Sequence, residues 1–242
     1  MKSIAAALSA LALCGCSTGA QDYYPAGSDA AWVVPTRTQA VSVKTSTGHP
    51  REDVAAMFTD GYGVLGYYYF TGPAPTIEQA VATARQVGAT AVVADASYTR
   101  AVAGAAPLTA PTSEAAHMND ADIGEAAGPG RHTIPPGGYD RVAVLFAPAR
   151  RVGFGYLPRL LAPREAQSVG SAQGVYVRAV YRGSPADQVG ILPGDIVIEI
   201  NGTPADQVSP LGGSLRLGEL NHVLLDRAGT SVQKDVLIRS AW

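Results

Sequence analysis

Gly174-Val-Tyr-Val-Arg-Ala-Val180 begins the stretch that decides the fold. After it come Arg182-Gly-Ser-Pro-Ala-Asp187, Leu192-Pro-Gly-Asp195, Ile196-Val-Ile-Glu-Ile200 and Asn201-Gly202. The first run alternates branched and polar residues, the mark of a strand. Ser184 fits a helix N-cap, and Pro185 suits the first helical position, where a missing N–H costs nothing. Gly190 ends that helix, and Leu192 to Asp195 is a tight turn into the strand 196–200. Asn201-Gly202 supplies the left-handed conformations that a two-residue hairpin turn needs. Leu215 to Arg227 is expected to be a second helix, and Val232 to Ile238 a last strand. Spacing alone therefore gives a small strand-and-helix domain within residues 151–242.

The run Gly-Ser-Pro-Ala…Gly-Ile-Leu-Pro-Gly-Asp-Ile-Val-Ile-Glu-Ile-Asn-Gly also resembles the core of bacterial PDZ domains, in the circularly permuted form of HtrA-type proteases. The resemblance implies a short-stranded, partly open β-barrel with two helices. It implies binding of protein or peptide C-termini, added as a strand to a sheet edge, with the terminal carboxylate held by backbone amides of a glycine-rich loop. The matching loop is Gly153-Phe154-Gly155-Tyr156, followed by Leu157 on the binding strand. The expected groove helix presents Leu217, Leu220 and Leu224, one face by i, i+3, i+7 spacing. Arg150 or Arg151 adds attraction for the anion. Pro158 departs from the pattern, because it removes an N–H where the family strand usually presents one to the ligand.

The N-terminus reads as an export signal. Lys2 precedes an apolar run from Ile4 to Leu13, too short to span a bilayer. The junction Leu13-Cys14-Gly15-Cys16-Ser17 resembles the lipobox of bacterial lipoproteins, in which a small residue precedes the Cys that is acylated; Gly15 before Cys16 fits. Residues 1–15 are thus expected to be a signal peptide and Cys16 the lipidated (palmitate-bearing) residue. Ser17 after the Cys points, by the Gram-negative sorting pattern, to the outer membrane facing the periplasm. Both Cys lie at this junction, which leaves no disulfide framework.

Residues 16–30 are expected to be a tether, and 31–149 a small α+β domain of β-α-β-β type with a disordered insertion at about 100–138. The pattern comprises a short helix from Arg51 to Phe58, a strand from Gly61 to Phe70, a helix capped by Thr76 and stopped by Gly88, and strands at 91–95 and 141–146. Gln86-Val-Gly-Ala-Thr-Ala-Val-Val93 resembles the helix-to-strand unit of small envelope domains of the YbjQ and RcsF kind. That likeness encodes packing more than function.

Composition narrows the function. The chain has 242 residues, 47% hydrophobic and only 16% charged, with a formal charge of −2. Its Lys and Arg read as scattered, so nucleic acid is not an expected partner. Residues 31–149 are too few for the double β-barrel of an HtrA protease, and no Gly-x-Ser-x-Gly or Asp-Thr/Ser-Gly motif occurs in residues 20–242. His117, Asp120, Asp122, Glu125 and His132 lack the spacing of a calcium loop, so no metal, cofactor or catalytic residue is expected. The reading is a lipid-anchored envelope protein that binds C-termini as a non-catalytic adaptor or regulator. The alternatives are a periplasmic hydrolase with an unrecognised site and the PDZ as substrate collector, or a PDZ spacer with partner contact through the aromatic run Tyr67-Tyr-Tyr-Phe70.

Overall fold

The computed structural model describes residues 21–26, 33–37, 40–70, 76–94, 106–107, 141–151, 153–208 and 215–239. The expected signal peptide, Cys16, the residues 117–132 considered as metal ligands and nearly all of the expected insertion lie outside them.

Among the described residues the chain is mixed α/β and mostly sheet, as two sheets of six strands. The first contains β1 (Gln21–Pro25), β2 (Ser42–Thr45), β3 (Tyr62–Phe70), β4 (Ala91–Ala94), β5 (Ala106–Pro107) and β6 (Arg141–Pro148), in the order β1-β3-β6-β4-β2-β5. The pairs β1-β3, β3-β6 and β6-β4 are antiparallel, while β2 is parallel to β4 and to β5. Helix α2 (Thr76–Val87) covers one face through Ile77, Ala80 and Ala84, packed on Leu65, Val92 and Leu145. Helix α1 (Pro50–Thr59) lies on the other, with Met57 against Val64, Val93 and Phe146. Strands covered on both faces lose the polar-apolar alternation, and β4 is buried at all four residues.

The segment 16–30 is not all tether, since Gln21–Pro25 pairs along β3 from Gln21↔Phe70 to Pro25↔Gly66. Its tyrosines outweigh the surrounding Gly and Pro. The Tyr23 ring lies so close over Gly66 that a Cβ there would come within 2.4 Å of it, and its hydroxyl donates to the Leu65 carbonyl at 3.2 Å. Tyr24 meets Tyr69 edge-on, with centroids 5.5 Å apart.

The second sheet contains β7 (Tyr156–Leu160), β8 (Val175–Val180), β9 (Ile196–Ile200), β10 (Thr203–Pro204), β11 (Leu220–Arg227) and β12 (Thr230–Leu237). Its order is β12-β11-β9-β8-β7, with β10 paired to β9, all antiparallel. Two short helices, α3 (Pro163–Ser168) and α4 (Pro185–Gln188), complete the described part. Ser184 caps α4 by accepting from the Asp187 amide at 3.2 Å, and Asn201 (φ 53) with Gly202 (φ 77) forms the expected left-handed turn. The core gathers Phe154, Tyr156, Val177, Ile191, Val197, Leu225 and Ile238. Asp195, buried at its base, accepts both Arg227 Nε and Nη2 at 2.7 Å and the Leu192 amide at 2.8 Å.

The expected helix from Leu215 to Arg227 is a strand over 220–227. Asn221, Val223 and Leu225 are buried while His222 is exposed and Leu224 half-buried, which is period two. Asn221 also fixes the preceding turn: its Oδ1 accepts from the Arg216 amide at 3.0 Å and its Nδ2 donates to the Arg216 carbonyl at 2.9 Å. Gly218 (φ 81) completes that turn.

Helix α1 joins the two sheets. Ala55 and Phe58 leave the first sheet and pack on Leu157, Ala179 and Tyr181, the outward side of β7 and β8. Phe58 meets Tyr181 edge-on at 6.2 Å, and the Arg182 amide donates to the Thr59 carbonyl at 3.2 Å. Asp53 holds the entry to α1, accepting from the Thr47 amide at 2.9 Å and the Thr47 hydroxyl at 2.8 Å.

Candidate functional site

The glycine loop before β7 is the place to look for an anion cradle. Gly153 (φ 68) and Gly155 (φ 79) are both left-handed, a conformation that costs a side-chain-bearing residue about 1–3 kcal/mol. Between and after them, Phe154 and Tyr156 are buried, their rings stacked at 5.7 Å. Burial pushes the Tyr156 hydroxyl far above its ordinary range, so it stays neutral. The aromatic side chains therefore anchor the loop in the core, and only its backbone is left to meet a ligand.

The direction of that backbone follows from its carbonyls. The Phe154 carbonyl accepts from the Ala186 amide at 3.0 Å. The Gly155 carbonyl accepts from the Tyr181 amide at 2.8 Å and from the Ser184 hydroxyl at 3.2 Å. In a trans peptide the N–H points opposite to the C=O of the same plane. The amides of Gly155 and Tyr156 therefore face away from the β8–α4 segment, toward the side of β7 that no described strand pairs.

β7 is the edge of its sheet. Tyr156 pairs with Val180, and the bond from the Tyr181 amide to the Gly155 carbonyl makes this a non-hydrogen-bonded pair. The Tyr156 N–H and C=O thus point out to the free edge. Pro158 pairs with Val177, whose amide donates to the Asp195 carbonyl and whose carbonyl accepts from Gly194, both at 2.9 Å and both on the far side. Pro158 consequently also faces the free edge, where it offers a carbonyl and no N–H. The register slips between Leu157 and Pro158, so the edge is bent there as well.

The sequence-derived residues divide into two groups. Gly153, Phe154, Gly155, Tyr156 and Leu157 lie together, with Leu157 half-buried under α1 rather than facing the edge. Leu217 and Leu220 are exposed in a turn and at a strand end, and Leu224 is outward on β11; they form no helix face. Within the described residues the segment following β10 carries only a 3-10 turn, Ala205–Gln207. Sequence reasoning missed α3, whose Glu165 receives Arg159 Nη1 at 2.6 Å and the Ala162 amide at 2.7 Å, and whose partner Arg159 stacks on Tyr176 at 3.9 Å. Pro163 with Glu165 was the available signal for that helix. No cluster of metal-binding side chains occurs among the described residues. None of their helices is long and apolar enough to cross a membrane.

Residues 176–227 match the family model described as PDZ domain. No curated protein matches the chain. Among solved structures, the chain is similar to the HtrA-type protease AlgW with a decapeptide, at 24% identity over 43% of this chain and 38% of that one, with a TM-score of 0.30. It is similar to the HtrA3 PDZ domain bound to a phage-derived ligand at 23% identity, over 37% of this chain and 85% of that one, with a TM-score of 0.31. The serine endoprotease from Yersinia pestis matches at 23% identity over 41% and 39%, with a TM-score of 0.28. The chain thus spans about two-fifths of the length of the full-length proteases it matches. The family match identifies residues 176–227, within the second sheet, as a PDZ domain.

Proposed function

We propose that the chain is a bacterial envelope lipoprotein, anchored through Cys16, whose PDZ domain binds the C-termini of proteins or peptides as a non-catalytic adaptor or regulator. The observation that carries the binding role is the outward Tyr156 amide on an edge that no described strand pairs, directly after two left-handed glycines. A carboxylate placed there meets the Gly155 and Tyr156 amides together, and the ligand's last residues extend along β7. Cys16 as anchor, with the outer membrane as location, rests on the sequence around Gly15 and Ser17. The periplasm is then where the PDZ domain would meet its partners.

Pro158 limits this edge. The ligand backbone pairs with Tyr156 and finds no donor at the next outward position, so affinity depends on the carboxylate more than on a long ladder. The test is a screen of random C-terminal peptides against the purified protein, with each binder repeated as its amide. Free-acid binders lost on amidation support the reading, and Pro158→Ala should then tighten them by about two- to tenfold, the worth of one regained hydrogen bond. Binders indifferent to amidation, or no binders at high protein concentration, would sink it.

A further inference from the structure

The near-neutral total conceals a polarised PDZ domain. Residues 150–182, which contain the glycine loop, β7, α3 and β8, carry six Arg and a single acidic residue, Glu165, a formal charge of +5. Residues 183–239 carry seven acidic against four basic residues, a formal charge of −3. The basic residues that read as scattered along the chain are thus concentrated in the stretch of sequence that contains the candidate edge strand. Every one of the six is Arg, the cation best shaped for carboxylates.

Their placement reinforces the asymmetry. Glu165 is taken by Arg159. Arg150, Arg151 and Arg182 are exposed. Arg151 and Arg182 line one open pocket of about 270 Å³ with Thr59, Asp60, Tyr181 and Gly183, and Arg151 lies 5.8 Å over the Tyr181 ring. This pocket adjoins the glycine loop, because the Tyr181 amide is the donor to Gly155. Asp60 is its one acid, and it is shared between Arg182 at 3.4 Å and Lys44 at 3.8 Å. Asp187, whose Oδ2 accepts from the Gly183 amide at 2.7 Å, stands at the rim. Two carboxylates thus meet Lys44, Arg151 and Arg182, which leaves one positive charge over for a ligand.

We propose that the ligands of this domain are acidic C-terminal segments, with Asp or Glu close to the terminal carboxylate. The proposal rests on the reading that β7 receives C-termini. A flank of net positive charge attracts such a segment and repels a basic one. Side chains of an added strand alternate between faces, so acidic residues at alternate positions reach the outer side of the sheet.

Three free-acid peptides with the same apolar last residue, carrying Glu, Gln or Lys at the second and fourth positions from the end, test this against the purified protein. The Glu peptide should bind about three- to tenfold more tightly than the Gln peptide at ~50 mM salt, the Lys peptide more weakly still, and ~0.5 M salt should erase the differences. The double variant Arg151→Gln, Arg182→Gln should narrow the gap between the Glu and Gln peptides. Equal affinity across the series overturns the proposal and leaves C-terminus binding standing. An amidated Glu peptide that binds as well as its free acid makes the flank a general polyanion surface and overturns both. Absence of binding by all three peptides likewise defeats the underlying reading first.

Discussion

Both sheets have six strands, yet they dispose of their faces and edges differently. In the first, α2 and α1 cover opposite faces, so β4 is buried throughout and Phe146, Leu145 and Val92 are fully enclosed. In the second, the strands alternate, turning Val175 and Val177 into the sheet's own core and Tyr176 outward. Burial of apolar surface decides everything in the first sheet. In the second, among the described residues, it also leaves β7 with an edge that no strand pairs, which unguarded invites aggregation. The bend at Leu157–Pro158 and the missing Pro158 N–H restrict what can pair there. The difference separates a scaffold from a surface built for exchange. Helix α1 belongs to both, with Met57 in one core and Phe58 against the other sheet.

The largest effects should come from emptying each core in turn. Phe154→Ala removes a fully buried ring from the second sheet and Leu145→Ala a buried side chain from the first, each expected to cost about 3–5 kcal/mol. Hydrogen exchange read separately over 141–148 and 175–180 shows how far each loss spreads. Since α1 leans on both sheets, Phe154→Ala should also lower protection of 141–148, by less than it lowers that of 175–180. Unchanged protection of 141–148 would make the sheets energetically separate and α1 a part of the first alone.

A smaller effect aims at the junction itself. Gly61 has φ +94, and a Cβ there would lie 2.4 Å from the Tyr181 hydroxyl. Gly61→Ala should therefore cost about 1–3 kcal/mol through backbone strain, with the Tyr181 clash added. Its signature is loosened coupling, in which thermal unfolding splits into two transitions because Phe58, Tyr181 and Arg182 lose their seating. Adding Tyr181→Ala relieves the steric part and leaves the strain. A single sharp transition in Gly61→Ala would mean that the junction adapts without loosening.

The sequence made most of this legible where local signals agreed with tertiary demand. Ser184-Pro185, Asn201-Gly202, Gly88 and the apolar run of β4 each act within a few residues, and the structure has them as expected. Leu215–Arg227 misled because Leu217, Leu220 and Leu224 fit helical spacing by coincidence. The residue that decides that segment is Asn221, whose bonds to Arg216 and Asn201 exist only once the hairpin has formed. Composition likewise hid β1, since Gly and Pro around it suggested a tether while Tyr23 needed Gly66 opposite to declare itself. At the candidate site the glycines were legible and the orientation was not. Which amides face out depends on Ala186, Tyr181 and Ser184, more than twenty residues away along the chain.

The smallest predicted effect concerns acid, and it touches the exposed edge alone. Burial by itself would raise the Glu165 carboxyl, but hydrogen bonds from Arg159 and the Ala162 amide, with the Arg159 charge, outweigh it and hold the group below its ordinary value of 4.5. A carboxylate with a depressed folded value stabilises above its unfolded value, and that contribution is lost as pH falls through the folded one. The loss should begin below about pH 4.5 and be modest, because the Glu165 side chain is still partly exposed to solvent. Denaturant unfolding between pH 6 and pH 3 should show the wild type losing more stability than Glu165→Gln, while the two differ by a constant amount above pH 5. The accompanying exchange should rise first at Arg159 and Leu160, where Glu165 ties α3 to β7 through Arg159. If exchange rises first in 141–148 instead, the enclosed sheet is the acid-sensitive one, and the contrast between a sealed scaffold and an adjustable edge fails at its most direct point.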